Sequence, residues 1–213
     1  MKLIVLVISS KIGVYPEMES TIRNTWASKK DNDIKVLFQH CNGKNNETVI
    51  DSENNLLCKC NEKLENIGYK MLESLNFINK NLEYDYIFRT NLSSYVDTKK
   101  LYDYIKMNHI DYGGVIGLHS DKTKFASGAG YVLSKKSVNY ILENQTKWDH
   151  SFIDDVALAK LMESDFNITP LKRQTINSVN EEIDLNHFHY RCKQKNRFED
   201  LHILKKIYSL KND

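Results

Sequence analysis

The sequence predicts an α/β domain with a mostly parallel central sheet flanked by helices on both faces. Three observations carry this. Leu3-Ile4-Val5-Leu6-Val7-Ile8 is apolar at every position, the pattern of a parallel strand buried on both sides. Across residues 62–82, Leu64, Ile67, Met71, Leu72, Leu75 and Ile78 form one helical stripe, with Glu62, Lys63, Lys70 and Glu73 off it. That helix runs into Tyr84, Tyr86, Ile87 and Phe88, an aromatic and β-branched run, and a helix feeding such a strand makes a right-handed crossover unit.

The other elements follow in order. After the first strand and a loop holding Gly13 and Pro16, Met18, Ile22 and Trp26 recur on one helical face, with Arg23 off it as a solvated charge. Residues 34–40 predict a second strand. Residues 42–53 are a polar connection with a mobile tip at 43–46, and Leu56-Leu57-Cys58 is a short edge element. Leu101, Tyr104 and Ile105 make 98–107 an amphipathic helix. Tyr112-Gly113-Gly114-Val115-Ile116-Gly117 is a strand whose glycines admit a close backbone. In 125–134 small residues precede a strand, and Ser134 caps a helix carrying Val138, Ile141 and Leu142. A helix at 156–162, a short strand at 168–171 and a last helix at 200–210 complete the chain.

Length and composition set limits. The 213 residues suit one domain, 1–213, in which 187–213 is a C-terminal basic and aromatic segment with a helix. With 41% hydrophobic and 27% charged residues the chain can bury a core. A net charge of +2 argues against a general binder of nucleic acid or membrane surfaces. The apolar N-terminal run is short and reaches Ser9-Ser10-Lys11 without a small-x-small cleavage site, and no stretch approaches the ~18 apolar residues of a membrane span. The expectation is a soluble, cytoplasmic protein. Cys58-x-Cys60 is too tight for a zinc knuckle, so Cys41, Cys58, Cys60 and Cys192 are expected as free thiols.

Candidate functional residues cluster in three stretches. At Arg89 the apolar strand breaks into Thr90, Asn91, Ser93 and Ser94, as expected where an open α/β sheet presents a site beyond its strand ends. Near Asp149 and His150, Asp154 and Asp155 stand together at a helix start, where they cap the helix and oppose its dipole, or supply a general base whose neighbour raises its pKa. His187, His189, Arg191 and Lys193 alternate onto one face, followed by Arg197; this is a basic surface tail or a clamp on a diphosphate.

Four blocks in this order resemble GT-A glycosyltransferases of the beta-1,3-galactosyltransferase and Fringe type. Ser20-Thr21-Ile22-Arg23-Asn24-Thr25-Trp26 is similar to the family's early A-I-R-x-T-W helix, and Glu65-Asn66-Ile67-Gly68-Tyr69-Lys70-Met71-Leu72 stands where it has N-L-T-x-K-T. Ser127-Gly128-Ala129-Gly130-Tyr131-Val132-Leu133-Ser134 resembles S-G-x-G-Y-v-l-S, and Ile153-Asp154-Asp155-Val156 matches the E/D-D-V block that holds the catalytic base. The resemblance implies inverting transfer of a sugar from a UDP-sugar to a hydroxyl of a glycan or glycoprotein acceptor. Asp155 would be the base, with Asp154 in support. Arg89, Asn91 and Ser93 would line the diphosphate end. Gly128, Ala129 and Gly130 would let the sugar or acceptor approach, and Arg191, Lys193 and Arg197 would stabilise the departing diphosphate.

One departure is plain. The family's metal-binding D-x-D is replaced by Asn91-Leu92-Ser93, an amide and a hydroxyl where Mn²⁺ or Mg²⁺ favours carboxylates. Either Ser93 is joined by Asp97, His187 or His189 as ligands, or no metal is needed, or the domain no longer catalyses and binds a nucleotide, glycan or partner protein instead.

Overall fold

The computed structural model describes residues 1–29, 31–43 and 47–212. The tip expected at 43–46 lies, beyond Gly43, outside the described residues, as does the side chain of Leu64. The chain begins with β1 (Leu3–Ile8), α1 (Tyr15–Arg23), β2 (Ile34–Cys41), β3 (Val49–Ile50) and β4 (Asn55–Cys58). Then come α2 (Ile67–Asn81), β5 (Tyr86–Asn91), β6 (Ser94–Val96), α3 (Thr98–Asn108) and β7 (Tyr112–Leu118). The rest is β8 (Lys124–Ser134), α4 (Lys135–Glu143), α5 (Asp154–Met162), β9 (Thr169–Pro170), β10 (Gln174–Ile176), β11 (His189–Cys192) and α6 (Glu199–Leu210).

The main sheet runs β3-β4-β2-β1-β5-β8-β7-β9, and a small sheet runs β10-β11-β6. β1 is parallel to both β2 and β5, with Leu3 opposite Ile34 on one side and Tyr86 on the other. β8 pairs antiparallel with β5 and β7, which makes the sheet mixed. The uninterrupted apolar run of β1 has the expected cause: Leu3, Val5 and Val7 enter one core and Ile4 and Leu6 the other. The first core is closed by α1, α3 and α6 through Met18, Ile22, Leu101, Ile105, Ile203 and Ile207. The second is closed by α2, α4 and α5 through Met71, Leu75, Ile78, Val138, Ile141 and Leu158. Trp26 is buried at the first core and donates its indole N–H to the Ser94 carbonyl at 3.2 Å. The glycines of β7 are there for contact: a Cβ on Gly114 would lie 2.7 Å from the Ala126 Cβ. Among the described residues no helix is long and apolar enough to cross a membrane.

Several expectations are corrected. β5 does not end at Phe88; it continues through Arg89 and Thr90 to Asn91, because those polar side chains find buried partners. The small residues of 126–130 lie inside β8 rather than before it. Arg23 is no solvated charge: its guanidinium stacks 3.8 Å over the Phe38 ring and donates to Glu19, Asn55 and the Glu53 carbonyl. Lys70, placed off the apolar stripe, is nevertheless buried. The alternation of the basic segment holds only within β11, where His189 is buried and Arg191 half-buried, while His187 precedes the strand and Lys193 is exposed beyond it.

Cys41 and Cys60 are joined in a disulfide, with Cα atoms 5.1 Å apart, so the expectation of four free thiols fails for these two. Pairing of β2 with β4 brings the end of one strand against the turn that follows the other, with Asn42 N–H on the Cys58 carbonyl at 2.7 Å. Cys58 and Cys192 are free and buried. The link spans a sequence separation of 19. Cys60→Ser, or reduction by dithiothreitol, should lower the unfolding free energy by about 3 kcal/mol, the scale for a loop of this length. The measurement is the urea midpoint with and without reductant; an unchanged midpoint would mean that the two thiols are not linked.

Candidate active site

The carboxyl ends of β1 and β5 and the last residues of β11 surround a cavity of about 450 Å³. Its polar wall includes Ser9, Ser10, Lys70, Asn91, Arg191 and Arg197. Ile8, Ile12, Tyr15, Ile67 and Leu92 supply an apolar side, a mixture suited to a ligand with a flat ring and a charged tail. β5 sets Asn91 at the rim, and β6 returns immediately behind it to pair with β11, so that Ser94 stands opposite Arg191.

Guanidinium groups hold this rim. The Asn91 amide oxygen accepts from the Ser93 N–H at 3.1 Å, from the Ser94 hydroxyl at 3.3 Å and from Arg191 Nη1. Arg197 Nη2 donates to the Ser93 hydroxyl, and its Nη1 pairs with the buried Asp200 at 2.7 Å. Burial, then the nearby Arg197 and Arg173, push Arg191 down to about 10. Arg173, in the connection between β9 and β10, reaches the Ser127 hydroxyl at 3.1 Å and has no carboxylate partner among the described residues. Asp200 is thus the one carboxylate paired with the Arg173, Arg191 and Arg197 group among the described residues, a charge excess that favours an anion.

On the opposite wall Lys70 donates from Nζ to the Ser9 carbonyl at 2.8 Å and pairs with Glu62 at 3.2 Å, while burial lowers its pKa. Behind Ser9, Glu19 takes the Ser9 hydroxyl, Arg23 at 2.7 Å and His40 Nε2 at 3.0 Å. Burial opposes its charge, but the hydrogen bonds from His40, Ser9 and Arg23 win and hold Glu19 at about 2.

The Asp154–Asp155 pair occupies a separate, buried position. Asp154 lies at the start of α5 and meets Arg89 of β5 at 2.7 Å, both nearly inaccessible. Burial and the neighbouring Asp155 push Asp154 up, Arg89 pulls it back, and the pairing keeps Arg89 charged. Asp155 Oδ2 accepts the Gly128 N–H at 2.7 Å, and its buried Oδ1 has no partner among the described residues. A Cβ on Gly128 would lie 2.8 Å from Arg89 Nη1 and 2.9 Å from Asp155 Oδ2. On Gly130 it would strike His189 and Phe88. The small residues of β8 therefore make room for these side chains. The Ala129 carbonyl between them accepts the Thr90 hydroxyl at 2.7 Å and that of Ser94 at 3.2 Å.

The expected site residues thus fall into two groups. Asn91, Ser93, Arg191 and Arg197 line the cavity. Arg89, Asp154, Asp155, Gly128, Ala129 and Gly130 form the buried group beside it, and Lys193 is exposed. The residues offered for a metal do not fit one. Ser93 takes Arg197, Asp97 caps α3 and pairs with Lys211 at 2.9 Å, and His187 faces Asp184 at 3.4 Å. His189 is buried 3.2 Å from the Ser94 hydroxyl, and burial and the Arg173 and Arg191 charges push it down to about 3. Among the described residues no three His, Cys, Asp or Glu side chains are grouped to hold an ion. Sequence reasoning missed Ser9, Ser10 and Lys70 as residues lining the cavity, and Arg173 as a charge acting on Arg191 from beside it.

A mixed sheet covered by helices on both faces, with a polar cavity at the carboxyl ends of its inner strands, defines an α/β protein of the GT-A type. The chain shares this fold with a glycosyltransferase involved in the glycosylation of the major capsid of PBCV-1, at TM-score 0.57 and 8% identity over 97% of this chain and 100% of that one. The galactosyltransferase LgtC, solved with donor and acceptor sugar analogs, aligns at TM-score 0.49 and 10% identity over 82% and 76% of the two chains. TarS 1–349 of S. aureus aligns at 0.49 and 12% over 99% and 65%. No family model and no curated protein matches the chain by sequence.

The Glu19 group yields a pH prediction. A carboxylate held at about 2, against an ordinary value of 4.5, adds stability that is complete above pH 4.5 and is lost as the pH falls through 2. Glu19→Gln should therefore destabilise the protein at neutral pH by roughly 2–3 kcal/mol and flatten its stability profile between those limits. Urea unfolding from pH 2 to pH 6 reads both effects; parallel profiles for the two proteins would rule out the ionised network.

Proposed function

We propose that this chain is an inverting glycosyltransferase that moves a sugar from a UDP-sugar to an acceptor hydroxyl on a glycan or glycoprotein. The observation that carries the proposal is the hold of Arg191 on Asn91 and of Arg197 on Ser93, at the positions where the resembled family keeps its metal-binding acids. Two guanidiniums face the cavity there, and such groups match phosphate oxygens in geometry and charge. The ordered sequence blocks and the shared fold support the same reading.

In this mechanism the nucleoside lies along the apolar side formed by Ile8, Ile12 and Tyr15, with its diphosphate against Arg191 and Arg197. Asp155 removes the proton of the acceptor hydroxyl. Its Oδ2 is anchored by the Gly128 N–H, so the unpartnered Oδ1 is the oxygen that takes the proton. The acceptor oxygen bonds to the anomeric carbon as the bond from that carbon to the diphosphate oxygen breaks, and UDP leaves with the electron pair. The charge that develops on the leaving group is met by fixed arginines, so no step is routed through a metal.

A second reading has its own observation. Both acids are buried and already bonded, Asp154 to Arg89 and Asp155 to Gly128, and neither lines the cavity. That suits a domain of GT-A shape that binds a nucleotide, glycan or partner protein without catalysis.

Calorimetric titration with UDP in EDTA should give binding that improves less than tenfold on adding MnCl₂; a larger gain would mean that the site kept its ion. Arg191→Ala should weaken UDP binding by about 1.5–3 kcal/mol, the range for charge-assisted hydrogen bonds. In an assay of UDP release from UDP-sugars with acceptor glycans, Asp155→Asn should lower kcat by ~10²-fold or more with UDP affinity nearly kept. Tight UDP binding with no turnover by the unaltered protein would favour the second reading.

A further inference from the structure

A second, larger cavity, of about 810 Å³, lies away from the nucleotide cavity, between α2 and the turn at 145–150. Its size is within the range of small-molecule sites. Asn66, Tyr69, Glu73 and Asn76 project into it, a spacing of three, four and three that forms a single helical face. Ile67 and Lys70, on the adjoining face, line the nucleotide cavity. One helix thus separates two cavities.

The chemistry of this wall is specific. The Tyr69 ring stacks on His150 with centroids 3.6 Å apart and planes 5° from parallel, yet Tyr69 remains 50% exposed, so its other face is open. Around this ring stand amides already held in place: Asn66 donates to the Asn61 carbonyl at 3.1 Å, and Asn76 donates to the Gln145 side chain at 3.2 Å. Their oxygens, the Asn61 side chain and the Thr146 hydroxyl make no hydrogen bond among the described residues. His150 likewise makes none, and burial lowers its pKa. Lys59 and Glu73 balance each other in charge.

We infer that this groove binds a neutral oligosaccharide. A fixed aromatic face matches the C–H surface of a pyranose ring. Paired donors and acceptors on amides and hydroxyls match its hydroxyl rim, each group able to give and receive. The charge balance disfavours an anionic glycan. The groove is independent of the nucleotide cavity, so the assignment stands or falls without it.

The test is a ¹H–¹⁵N correlation titration of the whole protein with maltohexaose, chitotetraose and mannohexaose, and separately with UDP. At least one of the three sugars should shift the amides of Tyr69, Asn76 and Gln145 at millimolar concentration, while UDP shifts those of Asn91 and Arg191. Tyr69→Ala should weaken the sugar about five- to tenfold, on the scale of one aromatic contact, and leave UDP unchanged. Asn76→Ala provides a second variant at a half-buried position. The inference is overturned if none of the three shifts those amides, if both variants bind as the unaltered protein does, or if a heparin hexasaccharide binds there more tightly. Sugar shifts at the groove with no response to UDP would instead sink the nucleotide reading alone.

Discussion

The buried ion pair of Arg89 with Asp154 is the constraint on which the rest of the site depends. It joins the fifth strand to the start of α5 at 2.7 Å, with each side chain almost wholly out of water. An isolated charge at either position would cost several kcal/mol, so neither residue is tolerable without the other. Meeting that demand shapes the neighbouring strand. Gly128 must lack a side chain because Arg89 and Asp155 take the space that a Cβ would use. Asp155 in turn accepts the Gly128 N–H, a second tie between the start of α5 and β8.

Around the cavity the charge balance runs the other way. Arg173 and Arg197 stand close enough to Arg191 to help lower its pKa, and one buried carboxylate is paired with the group. Such an arrangement is less favourable when empty than when an anion enters, so positive charge is stored at the cavity. The Asn91 and Ser93 oxygens keep the guanidiniums aimed. An acid pair at these positions would instead have neutralised them. An amide and a hydroxyl at these positions and the arginines beside them are therefore two sides of one electrostatic arrangement.

The fold was largely legible because its signals are local. The all-apolar β1, the α2 stripe and the Ser134 cap each announce themselves within a single element or at its edge. What was illegible depends on partners distant in the chain. Arg89 looked like a strand terminus because nothing nearby in sequence shows that Asp154, 65 residues away, will neutralise it. Arg23 looked solvated because Phe38 and Asn55 come from β2 and β4, distant in sequence from α1. The Cys41–Cys60 link needed the register of β2 on β4, which spacing alone does not reveal. In the site, Asn91, Ser93, Arg191 and Arg197 were named from sequence, whereas Ser9 and Ser10 follow the first strand with no pattern to single them out, and Arg173, beside the cavity, sits in an irregular connection.

The disulfide has a consequence for how this protein can vary. It closes the chain between Cys41 and Cys60 into a covalent ring that carries only the sheet's outermost strands, β3 and β4. The point at which the chain departs for α2 is thereby moored to the end of β2, whatever the ring contains. Insertions or exchanges at its exposed positions, away from the buried Leu56 and Cys58 and from Lys59 of the second cavity, can remodel one flank of the molecule while the helix that forms a wall of both cavities stays in place. The ring is a cassette, and the protein can change its periphery there without moving its chemistry.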